Sequence, residues 1–125
     1  MNNSVLEQKL QELFEELILK NETTPIIVEG KNDEAALRKI GARGEIIRLN
    51  IGQSILNFCE DIARIHDEVI ILPDWDVKGR QLFKKLKRAF RYTRVKPIEK
   101  FWFGFKKFSS KDVLEVEYLT KFLSG

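Results

Sequence analysis

Two short apolar runs, each ending in acids and followed by a helical pattern, restrict this chain to few folds. The first is Ile26-Ile27-Val28, opened by Pro25 and followed by Glu29-Gly30-Lys31-Asn32-Asp33. The second is Val69-Ile70-Ile71-Leu72, closed by Pro73 and followed by Asp74-Trp75-Asp76-Val77-Lys78-Gly79. Runs this short and this rich in β-branched residues read as strands buried on both faces, as in parallel sheets. Proline has no N–H to give a sheet ladder, so Pro73 ends its strand. Two strand–acid–helix units place their acids at one edge of a parallel sheet, where ligands bind in such folds. Asp74 and Asp76 are two residues apart and in extended chain point the same way. Acids so placed suit Mg²⁺, a hard cation that takes oxygen ligands.

The remaining chain alternates in the same manner. Ser4 and Glu7 form a capping-box pattern, and Leu6, Leu10, Leu13, Phe14 and Leu17 recur at helical spacing, predicting a helix over about 4–20. Strand one spans 25–28. Asn32 or Asp33 can cap a second helix that stops at Gly41, and 45–49 is strand two. Ser54 is an N-cap, and Ile55, Phe58, Cys59, Ile62 and Ile65 form the stripe of a third helix. Strand three is 68–72, helix four about 78–90 and strand four 93–97. An aromatic run follows, Phe101-Trp102-Phe103-Gly104-Phe105, expected in a core or an interface. Ser109 or Ser110 caps a last helix over about 110–123. This alternation predicts an α/β fold, a parallel sheet with helices on both faces. For Glu29 to meet the aspartates, strands one and three must be neighbours, giving strand order 2-1-3-4.

Composition narrows the class further. At 125 residues the chain is expected to form one domain. No apolar run reaches membrane-spanning length, and Met1-Asn2-Asn3-Ser4 carries no basic region before an apolar stretch, so a cytoplasmic protein is expected. A single cysteine, Cys59, excludes an intrachain disulfide and a multi-thiolate metal site. Its place on a helical stripe predicts an inert core thiol. Charge is segregated. Residues 1–77 hold 8 basic and 15 acidic side chains, whereas residues 78–107 hold 12 basic and one acidic. A basic segment beside an acidic site fits a metal-using protein with a polyanionic partner, more than it fits a merely solvated helix face.

The pair Val28-Glu29-Gly30-Lys31-Asn32-Asp33 and Asp74-Trp75-Asp76-Val77-Lys78-Gly79 resembles the two marks of the Toprim domain, shared by topoisomerases, primases and several nucleases. Those marks are Glu-Gly after the first strand and Asp-x-Asp-x-x-Gly after the third. The resemblance covers about residues 25–100. In length the chain is similar to the stand-alone small Toprim proteins of archaea and to the catalytic half of the ribonuclease that matures 5S ribosomal RNA. It implies that Asp74 and Asp76 hold Mg²⁺ or Mn²⁺ and that Glu29 acts as general acid or base or as a further ligand.

On that reading Lys31, Lys78, Arg80 and Lys84 pair with phosphates. Gly30 and Gly79 let backbone approach a phosphate, and Asp33 either completes the acidic cluster or caps the second helix. Two structural alternatives stand beside these roles: Asp76 as an N-cap and Glu29 as a capping acid. Trp75, between the aspartates, is expected to face the core, and Asp112 is a further candidate ligand. The implied function is Mg-dependent phosphodiester chemistry by a small nuclease, with RNA favoured, alone or within a larger nucleic-acid-processing complex. The alternative is a noncatalytic nucleic-acid-binding or adaptor protein. Topoisomerase chemistry is disfavoured because Tyr92 and Tyr118 lie outside both motifs, and the usual primase zinc site is beyond one cysteine.

Overall fold

The computed structural model describes residues 2–49 and 52–108, with side chains from residue 5. The predicted helix over 110–123, with its Ser109, Ser110 and Asp112, lies outside the described residues. In chain order the elements are α1 (Asn2–Asn21), β1 (Ile26–Val28), α2 (Lys31–Lys39), β2 (Ile46–Arg48), α3 (Ile55–Ala63), β3 (Glu68–Ile71), α4 (Val77–Phe90), β4 (Lys96–Ile98) and α5 (Lys100–Lys106). The four strands form one parallel sheet in the order β2-β1-β3-β4. The chain winds one way from β1 to β2 and the other way from β2 through β3 to β4. Right-handed crossovers therefore put α2 on one face and α3 and α4 on the other.

The central strands are as apolar as their surroundings require. Ile26, Ile27, Val28, Val69, Ile70 and Ile71 are fully buried, and the core continues through Phe14, Leu17, Leu37, Cys59 and Leu86. Burying each such side chain contributes about 1.5–3 kcal/mol. The outer strand β4 closes its open edge chemically. Lys96 donates its N–H inward to the Asp67 carbonyl at 2.8 Å. The next N–H would face outward, and the residue there is Pro97, which has none. An edge without that donor resists pairing with another strand.

Several boundaries differ from the sequence reading. α1 begins at Asn2, so Ser4 lies inside the helix instead of capping it. Leu6 and Ile65 are exposed, at 49% and 79%; Ile65 lies beyond the end of α3. β4 starts at Lys96, three residues later than expected. Thr93 is used in a turn: its hydroxyl donates to the Phe90 carbonyl at 2.8 Å and accepts the Val95 N–H at 3.1 Å. Ser54 caps α3 as expected, accepting the Asn57 N–H at 3.1 Å.

Asn21, just past the expected end of the first helix, supplies a tie that the sequence reading did not foresee. Its side chain is fully buried. Nδ2 donates to the carbonyls of Thr24 and Glu45, each at 3.0 Å, and Oδ1 accepts the Gly44 N–H at 2.9 Å. One amide thus joins the end of α1 to the starts of β1 and β2. Gly44 is obligatory beside it, since a Cβ there would sit 1.8 Å from the Asn21 carbonyl oxygen. Asn21→Leu, apolar and of similar size, strands the Thr24 carbonyl and the Gly44 N–H, while the Glu45 carbonyl keeps the Ile26 N–H at 3.1 Å. Each orphaned group costs about 1–3 kcal/mol, so urea denaturation should show a loss of about 2 kcal/mol or more; a loss below about 0.5 kcal/mol would remove the tie from the account.

Cys59 is buried on α3, and burial pushes its thiol up to about 12 from the ordinary 9.0. The unfolded chain therefore releases this proton first as pH rises. The stability Cys59 contributes is whole below pH 9 and is lost between about pH 9 and 12. Cys59→Ala should flatten the alkaline fall in stability across that interval. An unchanged slope would mean the thiol ionises as easily folded as unfolded.

Candidate functional site

The acids meet because β1 and β3 are paired in register. Ile26 lies opposite Ile70 and Ile27 opposite Ile71. Continuing the count brings Val28 beside Leu72 and Glu29 beside Pro73. The Glu29 side chain reaches one residue further, and its Oε2 accepts the Asp74 N–H at 2.8 Å. Glu29 therefore does not cap α2. Gly30 occupies that N-cap with extended backbone, and buried Asp33 accepts the Gly30 N–H at 3.1 Å through Oδ2. Asp33 thus holds the turn that follows Glu29.

Asp74 is itself buried, at 7% exposure. Asp76 is the N-cap of α4, with Oδ1 accepting the Gly79 N–H at 2.7 Å. The structural alternative for Asp76 is therefore present, while that for Glu29 is not. An ionised carboxylate has two oxygens and about four acceptor sites. A single N–H bond orients such an acid without exhausting it.

Gly79 has a different reason from the one read in the sequence. It is buried, and a Cβ there would lie 2.1 Å from the Asp74 carbonyl oxygen and 2.5 Å from its carbon. The first turn of α4 thus rests directly on the Asp74 peptide. Gly30 meets nothing within 4 Å of a built Cβ. Its missing side chain leaves open space beside the acids.

The aromatic run proves to be α5, and it braces the acid loop from behind. Trp102 Nε1 donates to the Pro73 carbonyl at 2.9 Å, and Trp75 Nε1 donates to the Trp102 carbonyl at 3.1 Å. Trp75 is 1% exposed, in the core as expected. Trp102 stacks on Phe83 of α4 with ring centroids 3.9 Å apart, and Phe105 meets Phe14 of α1 at 4.3 Å. The positioning role of Trp102 was missed in the sequence. A signal was present: a tryptophan in a buried run must find an acceptor for its indole N–H.

Among the described residues, no three His, Cys, Asp or Glu side chains form a ready metal-holding group. That still fits Mg²⁺, which keeps several waters and is bound through one or two carboxylates plus substrate phosphates. The Glu29 carboxylate, held beside the Asp74 backbone, offers the hard oxygen donors that suit it. The candidate cations Lys31, Lys78, Arg80 and Lys84 are all exposed. Lys78 and Glu29 line one cleft of about 200 Å³. Arg80, Lys84 and Arg88 recur every four residues along α4 and so share a row.

Comparison with known proteins follows the same outline. The Toprim domain profile matches residues 24–103. A UPF0292 protein of Methanosarcina barkeri is 36% identical over 118 residues, covering 94% of this chain and 82% of its own. A UPF0292 protein of Methanocaldococcus jannaschii is 32% identical, covering 94% and 91%. A solved structure of an Aquifex aeolicus protein superposes with a TM-score of 0.74 at 27% identity, covering 86% of this chain and 95% of its own. Among the described residues no helix is long and apolar enough to cross a membrane.

The two glycines give a direct test of the site's construction. Gly79→Ala should force the Asp74 peptide to move and cost about 1–3 kcal/mol, as overpacking does. Gly30→Ala should cost under about 1 kcal/mol, the usual difference at an N-cap. Urea melts of both variants check this, and equal losses would contradict it.

Proposed function

This chain belongs to the Toprim family, which carries a divalent-metal-binding, nucleic-acid-associated role, and on that premise we propose that it is a small metal-dependent nuclease acting by preference on RNA. The carrying observation is the Glu29 carboxylate held against the Asp74 peptide at 2.8 Å. It brings the Glu29 carboxylate from the end of β1 to the Asp74 backbone beyond the end of β3.

In this reading Asp74 and Asp76 hold Mg²⁺ or Mn²⁺. The bound ion would neutralise charge on the nonbridging and leaving oxygens of a phosphodiester. Glu29 serves as general acid or base, or as a further ligand. The Asp74 N–H fixes one Glu29 oxygen, so the carboxylate is oriented before substrate arrives. Asp76 works from the N-cap, with its Oδ1 held by the Gly79 N–H at 2.7 Å. Lys31, Lys78, Arg80 and Lys84 pair with the strand's phosphates. The RNA preference rests on resemblance to the 5S ribosomal RNA maturation ribonuclease.

A second reading, a noncatalytic nucleic-acid-binding or adaptor protein, has two observations in its favour. Asp76 already has structural work as a cap, and no three-acid group is assembled among the described residues.

One experiment separates the two. Labelled structured RNA, single-stranded RNA and DNA are incubated with and without Mg²⁺ or Mn²⁺, using wild type and Asp74→Asn. Melting temperatures are recorded in parallel. We expect metal-dependent cleavage, reduced at least about 100-fold by Asp74→Asn, and a metal-induced rise in melting temperature that the variant diminishes. A metal-induced rise with no cleavage would favour the adaptor. Neither a rise nor cleavage would overturn the nuclease.

A further inference from the structure

We propose that the cleft between the end of β1, α3 and α4 is a pocket for one unpaired nucleobase. Its nucleotide's phosphate lies at the Glu29–Asp74 site. The inference rests on the nucleic-acid reading above and sharpens it: the substrate must present a single-stranded or looped residue there.

The cleft has about 200 Å³ and is walled by Ile55 and Phe58 of α3 and Leu82 of α4, with Glu29, Gln53 and Lys78 as its polar members. Drug-sized ligand pockets run to about 300–1,000 Å³. This one is smaller, and suits a single planar ring system. Its walls are apolar, which suits the face of a base. Phe58 is 5% exposed, so it contributes to the floor and does not stack from above. Gln53 is held by its amide nitrogen, which donates to Asp61 Oδ2 at 2.6 Å. A primary amide still carries an acceptor oxygen and a second N–H, the groups that read a base edge.

Charge places the rest of the nucleotide. Lys78 and Leu82 are four residues apart on α4, so the apolar wall and the cation stand one above the other. A base against Leu82 therefore has its phosphate within the field of Lys78. Glu29 joins the two sites, since it lines the cleft and also accepts the Asp74 N–H. Lys85, exposed and seven residues after Lys78, shares the Lys78–Leu82 side of α4 and extends the positive track to a neighbouring phosphate. A base paired in a duplex is stacked and closed off, so it reaches such a pocket by leaving the stack.

The test uses the full chain with Ca²⁺, a hard cation that also takes oxygen ligands, in place of Mg²⁺, and each strand is checked on a gel to be uncut. Fluorescence anisotropy measures binding of a labelled single-stranded RNA 12-mer, the same strand with abasic positions, and a duplex of equal length. Leu82→Trp fills the cleft without altering a charged group, and its fold is checked by thermal melting. The intact strand should bind about 10-fold more tightly than the abasic strand, as expected of one buried base. Leu82→Trp should remove that advantage and leave abasic-strand and duplex affinities unchanged. If intact and abasic strands bind wild type equally, the pocket is overturned even should Leu82→Trp fail to fold. Salt-sensitive binding that persists in that outcome leaves the nucleic-acid reading standing. If no strand binds, that reading fails and the pocket fails with it.

Discussion

Two indole N–H groups hold the acid-bearing loop in place, and the site depends on them. Pro73 ends β3, and its buried carbonyl takes the Trp102 indole at 2.9 Å. Trp102 in turn offers its own carbonyl to the Trp75 indole at 3.1 Å. Asp74 lies between these two fixed points. A buried hydrogen bond contributes about 1 kcal/mol net, but an orphaned partner costs about 1–3 kcal/mol. Neither tryptophan can therefore leave without exposing the other side's polar group. Gly79 closes the loop from the α4 side by resting on the Asp74 peptide. The aspartate backbone is clamped between an aromatic helix and a helix N-terminus before any ligand arrives.

The same clamp links packing to electrostatics. The Asp74 N–H points at Glu29 because the loop is fixed, and the Glu29 carboxylate is oriented by that N–H. Asp76 receives its own N–H from Gly79. Both acids outside the buried Asp74 are thus steered by backbone donors, which are rigid and need no further side chain. α4 leads directly from this rigid point into the most basic segment of the chain, residues 78–107. Acids for a cation and bases for a polyanion are therefore set by one turn of structure, through residues 74–80.

Much of this was legible in the sequence because the relevant signals are local. The β1 and β3 runs are apolar on both faces, so no competing helical period obscures them. Requiring Glu29 to meet the aspartates was enough to order the sheet. Cys59 lay on an apolar stripe and Trp75 alternated with two aspartates, and both are buried as read. What was not legible is long-range or sterically specific. Asn21 looks like loop until Gly44 and Glu45 are brought to it across the sheet. Gly79 looks like a phosphate turn until the Asp74 carbonyl is seen beneath it. Thr93 and Val95 have strand-forming side chains, yet the Thr93 hydroxyl takes part in a turn. Leu6 and Ile65 extend helical stripes past the surfaces that would bury them.

The central claim is that the carboxyl edge of β1 and β3, and no other acidic surface, takes the divalent cation. Substoichiometric Mn²⁺ added to ¹⁵N-labelled protein tests this directly, because a paramagnetic ion broadens the amides nearest to it. The account predicts that Gly30, Asp74, Trp75 and Gly79 lose intensity first, while Glu68 and Lys96 at the opposite edge keep theirs. First losses along the acidic stretch Glu12–Glu16 of α1, or uniform losses throughout, would contradict it.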